Sequence, residues 1–480
     1  MRTGTGQGAS TAAGPPGAEA VPRQAWLALG VATMVSFLVV VDVSVVNVAF
    51  PTIRTDLGAS ETSLSWIVSG YNIGVAAFLL LGGRLADSLG RKKVFLPGVA
   101  AFMVGSLLCG MAPNTGFLIA ARVVQAIGGA VLMPASLALV LPEFPLSRRS
   151  TAVGFWGATG SLGAAFGPSL GSVLIRLGSW RFVFLINVPL CLLVLVLGRR
   201  IFRESRNPDA SGRMDLLGIP IGTAGVAMGM FAIVQSEQWG LANVRVLAPA
   251  VAAVGLIALL IARSKRHPEP LLDLSLYRHR SFSSTNLAVA FYSMGFTSQF
   301  LLNSLLLQNL WDQSILRTGA ALTPGPLLAT VTSVVTGRTA DRYGHRWLIG
   351  IGSALLALSP LLYLLLLSET PQVWTRFVPI SMIAGLGTGM SIASWFSASV
   401  SDVDQARFGV ANATLRTIMQ VFYGVGISVA ITLLAAAEGF TGYRNGWLWV
   451  TAMMGLSAVL ILFTFPAGSS SHRAAPATDH

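Results

Sequence analysis

GGRLADSLGRKK, residues 82–93, and GRTADRYGHRW, residues 337–347, decide between them how this 480-residue chain is built. Both read Gly-Arg-x-Ala-Asp-x-x-Gly-x-Arg or nearly so, and Asp87 and Asp341 stand 254 residues apart. Each stretch closes one apolar run and opens the next. A repeat at that distance means two large halves on one plan, not an array of small units. Basic residues packed between apolar runs mark loops on one face of a membrane. Halves in parallel repetition are a known transporter architecture.

Composition carries the membrane reading outward from those loops. Hydrophobic residues make up 53% of the chain and charged residues 11%, against roughly 25% charged in soluble domains. A soluble protein has too little interior to hide that much apolar side chain. A membrane helix needs about 20 apolar residues. Scanning for such runs predicts spans at 26–50, 64–83, 94–112, 117–141, 151–175, 182–201, 215–235 and 245–262. Six more follow at 283–307, 319–338, 347–367, 374–396, 410–436 and 444–466. The expected fold is therefore an all-α integral membrane protein of about fourteen transmembrane helices. It comprises an N-terminal six-helix bundle over 26–201, two extra central helices over 215–262 and a C-terminal six-helix bundle over 283–466. Polar linkers are expected at 202–214 and 263–282, with disordered cytoplasmic tails at 1–25 and 467–480. The first apolar run is too long for a signal-peptide core and reads as a retained helix.

An even count puts both termini on one face. With that face cytoplasmic, the basic clusters Arg91–Lys93, Arg148–Arg149, Arg199–Arg213, Arg263–Arg266 and Arg338–Arg346 all fall inside. The net charge of +13 is then topology in a multi-pass plasma-membrane protein, and no nucleic-acid partner is implied. Cys109 and Cys191 sit in apolar runs, so neither a disulfide nor a metal site is expected. The five histidines (His267, His279, His345, His472, His480) lie in loops or tails without paired ligands.

Several motifs occur in order along the chain: VVDVSVVNVAFP with Asp42, Asn47 and Pro51, then the 82–93 loop, then LIAARVVQAIGGA with Arg122, Gln125 and Gly128. GATGSLGAAFGPSLGS follows at 157–172, then SWRFVFLINVP at 179–189 and ATLRTIMQ with Arg416. In this combination the chain resembles the major facilitator superfamily, specifically its fourteen-helix drug:proton antiporter branch, from about Trp26 to Phe465. Ala126 and Ser172 stand where that branch has glycine, and neither departure touches a charge. The resemblance implies export of a small organic substrate, with the proton as coupling ion and no other cofactor. The expected partners are the lipid bilayer, that substrate and protons, and the protein is expected to be monomeric and not an enzyme.

Four groups of residues follow. Charges inside hydrocarbon are costly and usually functional. Asp42 in the first span and Arg122 in the fourth lie at depths agreeing within about 5 Å, which makes them the proton-coupling pair. A static ion pair joining the two helices is the alternative. Gly157, Gly160, Gly163, Gly167 and Gly171, spaced 3, 3, 4 and 4, fall within roughly 120° of helix surface. That bare face lets another helix approach closely. Pro168 beside it favours a bend, and the resemblance makes the face a hinge and seal at the central cavity. Tyr292, Phe296, Gln299 and Asn303, with Asn412, Arg416 and Gln420, form stripes of aromatics, amides and one cation. They suit either a cavity for amphiphiles or a hydrogen-bonded seam between helices; Trp66 and Tyr71 are further candidates. In the loop, Gly83, Asp87, Gly90, Arg91 and Lys92, with Asp341 as repeat partner, are the gating set, Asp87 pairing with an arginine or capping a helix end.

GXXXXGK[ST] is absent, which disfavours pumping driven by ATP. Proton-driven nutrient uptake would reverse the direction, and the glycine-rich fifth span and extra central helices argue against it. A membrane-embedded transferase would need catalytic groups at an interface, which the loop histidines do not supply.

Overall fold

The computed structural model describes residues 21–466, except 146–147, 206–214, 241, 269 and 405–406. Within helices, the side chains of Asn47, Glu61, Thr62, Ala165, Pro168, Glu237, Ile315, Leu316 and residues 341–343 are likewise outside the description. Of the tail expected at 1–25, residues 1–20 thus lie beyond it, while its last residues enter a helix that starts at Arg23. The tail at 467–480, most of the 202–214 linker and the side chain of Asp341 also lie beyond it.

The first half comprises α1 (Arg23–Leu57), α2 (Glu61–Leu89), α3 (Arg91–Gly110), α4 (Thr115–Val140), α5 (Arg149–Arg176), the single turn α6 (Phe182–Leu185) and α7 (Asn187–Ile201). Next come α8 (Gly218–Trp239) and α9 (Val244–Ser264). The second half has α10 (Arg280–Leu305), the short α11 (Ile315–Leu322), α12 (Pro324–Tyr343), α13 (His345–Leu366), α14 (Val378–Ser399), α15 (Phe408–Ala435) and α16 (Phe440–Thr464). The described residues contain no strand. In hydrocarbon every backbone group must be satisfied within its segment, and an α-helix does so without a partner strand.

Among the described residues twelve helices are long and apolar enough to cross a membrane, and a bent α5 makes a thirteenth. The expected count of fourteen is thus not reached on length and apolarity: α10, 26 residues long, is diluted by serine, threonine, asparagine and glutamine. Boundaries also move, the second span running on to Leu89 and the tenth to Tyr343. The first helix continues past Pro51 to Leu57, where Gly58, at φ 60°, turns the chain. The sixth span breaks into α6 and α7 at Ile186.

Packing follows the duplication. In the first half α1 lies on α5, and α4 lies on α2 and α3; in the second, α10 lies on α15, and α14 on α12 and α13. The halves meet along two seams, α2 with α15 and α5 with α12, which the repeat interchanges. The extra helices pack on each other, and α8 also lies along α2 and α15. On α9, Val244, Val251 and Val254 are each at least 70% exposed, a face that only lipid would cover.

The repeated loops owe their sharpness to glycine. Gly90 and Gly344 carry φ of 110° and 80°, a region other residues avoid. There α2 passes into α3, and α12 into α13, without an intervening loop. Glycine also sets the seams. A Cβ on Gly83 of α2 would lie 2.6 Å from the Gly409 carbonyl oxygen of α15 and collide with the Ala413 methyl. On the other seam a Cβ on Gly337 would lie 2.6 Å from the Ser150 carbonyl oxygen and 3.0 Å from Gly154 Cα.

Candidate functional site

Three arrangements of polar side chains among the described residues gather most of the expected site residues. The first is a knot inside the N-terminal half. Asp42 of α1 and Arg122 of α4 meet at 2.5 Å, and both side chains are at most 1% exposed. Burying an ion pair pays only when its remaining valences are also met. Gln125 Nε2 donates to Asp42 Oδ1 at 2.8 Å and its Oε1 accepts from Arg122 Nη1 at 2.7 Å. Asn187 Nδ2 of α7 donates to Asp42 Oδ1 at 2.8 Å. Both amides also donate to Ser106 Oγ of α3. Arg122 Nε donates to the Ile67 carbonyl of α2, and its guanidinium lies 4.0 Å from the Tyr71 ring centre. The carboxylate thus has three side-chain donors, and five helices share one charge-balanced cluster. Helical spacing puts Arg122 and Gln125 on one face, as residues three apart. Asn187 and Ser106 carry no period of their own. An isolated amide inside an apolar run is the signal that marks Asn187. Tyr71, a cavity candidate from sequence, is 2% exposed beneath Arg122. Trp66 instead packs on Phe231 of α8, ring centres 5.7 Å apart.

The second arrangement closes the α2/α15 seam at the loop-motif face. Asp87, 2% exposed, accepts from the backbone N–H groups of Gly409 at 3.3 Å and Val410 at 2.9 Å. These are first-turn donors of α15 with no partner inside the helix, and a carboxylate there also meets the positive end of the helix dipole. Arg91 steadies it at 3.3 Å and reaches the Ala138 carbonyl of α4 at 3.0 Å. Lys92 takes no part between the halves: its Nζ donates to the carbonyls of Arg199 and Phe202, the unsatisfied end of α7. Glu204 makes the reciprocal cap, accepting from the Lys92 and Lys93 N–H groups at the start of α3. Sequence reading missed Glu204, which sits in the polar stretch taken there only as a boundary.

The third arrangement lies between the halves, about two turns along α15 from its start at Phe408. Arg416 of α15 lies 4.9 Å from the Trp156 ring of α5 and 4.8 Å from the Phe396 ring of α14. Gln420 donates to Asn72 of α2 at 3.5 Å. Tyr292 and Phe296 stack at 5.8 Å, and Phe296 faces Tyr423 at 6.2 Å. Not every residue of the expected stripes belongs here. Gln299 donates to Ser359 Oγ at 2.5 Å and Asn303 to the Tyr363 hydroxyl at 3.4 Å. Both form the seam between α10 and α13, the alternative the spacing had left open. Asn412 is 1% exposed and donates to the Phe408 carbonyl of its own helix.

The glycine face also lands partly elsewhere. Only Gly157 looks across to the other half, toward Ser333 and Ile392. Gly160, Gly163, Gly167 and Gly171 lie against Ser36, Phe37, Val40, Ser44 and Val45 of α1, within their own half. Close approach of backbones is present, but the partner is α1 and not the central cavity.

The comparisons with known proteins agree with this architecture. Residues 32–421 match the Major Facilitator Superfamily. The probable actinorhodin transporter of Streptomyces coelicolor is 34% identical over 440 residues, 89% of this chain and 75% of that one. The puromycin resistance protein of Streptomyces alboniger is 34% identical over 421 residues, 87% and 83% of the two chains. The methylenomycin A resistance protein of Bacillus subtilis is 30% identical over 422 residues, 88% and 90% of the two. Among solved structures, a human organic anion transporter superposes with a TM-score of 0.69 at 15% identity, over 92% of this chain and all of that one. A proton:xylose symporter superposes with a TM-score of 0.66 at 15% identity, over 92% and 96%. The structural likeness speaks to fold, and the sequence relatives and family match settle membership: this multi-pass membrane protein belongs to the Major Facilitator Superfamily.

Proposed function

We propose that the protein is a secondary active efflux transporter that exports an amphiphilic small molecule, of the antibiotic or drug type, in exchange for protons. The names of its sequence relatives support export. The observation that carries proton coupling is the knot around Asp42, the one described carboxylate at mid-span, 1% exposed and held by three side-chain donors. Protonation would remove the charge that Arg122, Gln125 and Asn187 converge on. Those groups would then have to find other partners, which ties the proton to the relative positions of α1, α4 and α7. Substrate would bind between the halves near Arg416, Gln420 and Phe296.

In this reading fourteen helices span the plasma membrane, with α5 and α10 included, and the Asp87 face is cytoplasmic. The seams are closed at that face. Further along, α5 turns onto α1, while α15 meets α8 through Ser428 and Ser236 at 2.9 Å. That pattern fits an outward-facing state.

Two measurements test this. Inverted vesicles carrying the protein should accumulate a fluorescent drug when an inward-acid gradient is imposed, and release it when a protonophore collapses the gradient. Accumulation indifferent to the gradient would remove proton coupling. A cysteine at Asn243 should label from outside intact cells and one at Ser205 only after permeabilisation; the reverse pattern would overturn the topology.

A further inference from the structure

We propose that the central site selects anionic or acid-bearing aromatic amphiphiles, with Arg416 as the residue that binds the anionic group; this rests on the efflux reading above. Four observations converge. Arg416 makes no hydrogen bond or ion pair among the described residues; its contacts are the faces of Trp156 and Phe396. Those two rings come from different halves and meet edge to face at 5.3 Å, so the cation sits where substrate would pass. Trp156 is itself anchored, its indole N–H donating to Ser136 Oγ of α4 at 3.3 Å. No described carboxylate pairs with it: Asp42 is committed to Arg122, and Asp87 to Arg91 and the start of α15.

A guanidinium within a membrane span and without a counter-ion is costly in hydrocarbon, and such groups mark pathways. Aromatic faces stabilise it only in part and leave its N–H donors unmet. A carboxylate or acidic phenolate would satisfy two of those donors side by side, the pairing guanidinium favours. The ligand's aromatic body would then lie along Phe296 and Tyr423, and its polar substituents would reach Gln420 and Asn72. A cationic drug would meet only like charge and no acid, and would be rejected on that ground.

Binding tests this separately from transport. The probes are a carboxylate-bearing aromatic fluorophore and its methyl ester, matched in size and differing in charge, titrated against purified full-length protein in detergent. The acid should bind at least tenfold more tightly than the ester. The preference should collapse to within about twofold in Arg416→Gln and survive in Arg416→Lys. Should Arg416→Gln fail to fold, the wild-type ratio and Arg416→Lys still decide. Equal affinity for acid and ester, no binding of either, or a preference intact in Arg416→Gln would overturn the proposal. Loss of proton-driven accumulation with the acid preference intact would count against the efflux reading alone.

Discussion

The two seams between the halves are near copies of each other, whereas the interiors of the halves differ. On one seam Gly83 presses against Gly409 and Ala413; on the other Gly337 presses against Ser150 and Gly154. Gly90 and Gly344 repeat the same sharp turn. Inside, the N-terminal half holds a charged knot, Asp42 with Arg122, Gln125 and Asn187. At the same 254-residue offset that links Asp87 to Asp341, the second half has Phe296 in place of Asp42. Its surroundings are aromatic: Tyr292, Tyr423 and, through Tyr292, Trp395. Duplication has kept the surfaces where the halves meet alike. The copies diverge in their interiors, with the charged knot proposed to carry the proton in one half and rings with one cation in the other.

The largest test of that divergence contrasts two arginines. Arg122→Ala strands Asp42 as a buried, unpaired carboxylate and should cost about 3–5 kcal/mol, seen as lost yield and a lowered melting temperature in detergent. Asp42→Asn combined with Arg122→Gln should recover most of it. Arg416→Gln removes a charge that has ring faces but no counter-ion, so stability should change little; a loss equal to that of Arg122→Ala would erase the distinction between the halves.

The likeness of the seams is tested next. Gly83→Ala and Gly337→Ala should each disfavour the closed face by about 1–3 kcal/mol, with similar increases in the opening measured by spin-label distances across the seam. Gly160→Ala, whose Cβ would find Ser36 Oγ at 3.6 Å, should be silent. Strongly unequal effects of the two seam variants would show that the seams are alike in geometry only. Asp87→Asn keeps the shape but loses charge at the start of α15, worth about 1–2 kcal/mol. It should open the face roughly tenfold more often and reduce transport at unchanged expression. Unaltered opening would reduce Asp87 to a topology signal.

The smallest effect is expected at the opposite end. Trp180's indole N–H, and then Arg181, hold the Asp56 carboxyl below the ordinary carboxylate range. A lowered value means the ionised form favours folding at neutral pH, and the contribution fades as pH falls through the acid range. Asp56→Asn should lower the melting temperature by about 1 °C at pH 7 and less at acid pH. An equal loss at both would make the contact one of shape, not charge.

How much of this was legible varied with the physics. Apolar run length and the basic loops gave the helices, because bilayer thickness imposes a length and charge imposes a side. Asp42 and Arg122 stood out because charges in apolar runs are rare. The knot's other members did not, since Asn187 and Ser106 reach Asp42 across helices whose relative placement no single-helix period encodes. The same limit explains the stripe on α10. Four-three spacing puts Tyr292, Phe296, Gln299 and Asn303 on one face, but that face spans two environments, aromatic neighbours for the first pair and α13 for the second. The glycine face on α5 was legible as a close contact, while its partner, α1 and not the other half, depended on the fold.

If Asp42 carries the coupling proton, as proposed, Asp42→Asn should uncouple the transporter. The amide keeps the size and much of the hydrogen bonding of the side chain but cannot titrate. The measurement is drug accumulation in inverted vesicles under an imposed pH gradient, beside downhill efflux of preloaded drug with no gradient. Gradient-driven accumulation should disappear while downhill movement persists. If Asp42→Asn still concentrates the drug using the pH gradient alone, the proton is carried by another group and the account is contradicted.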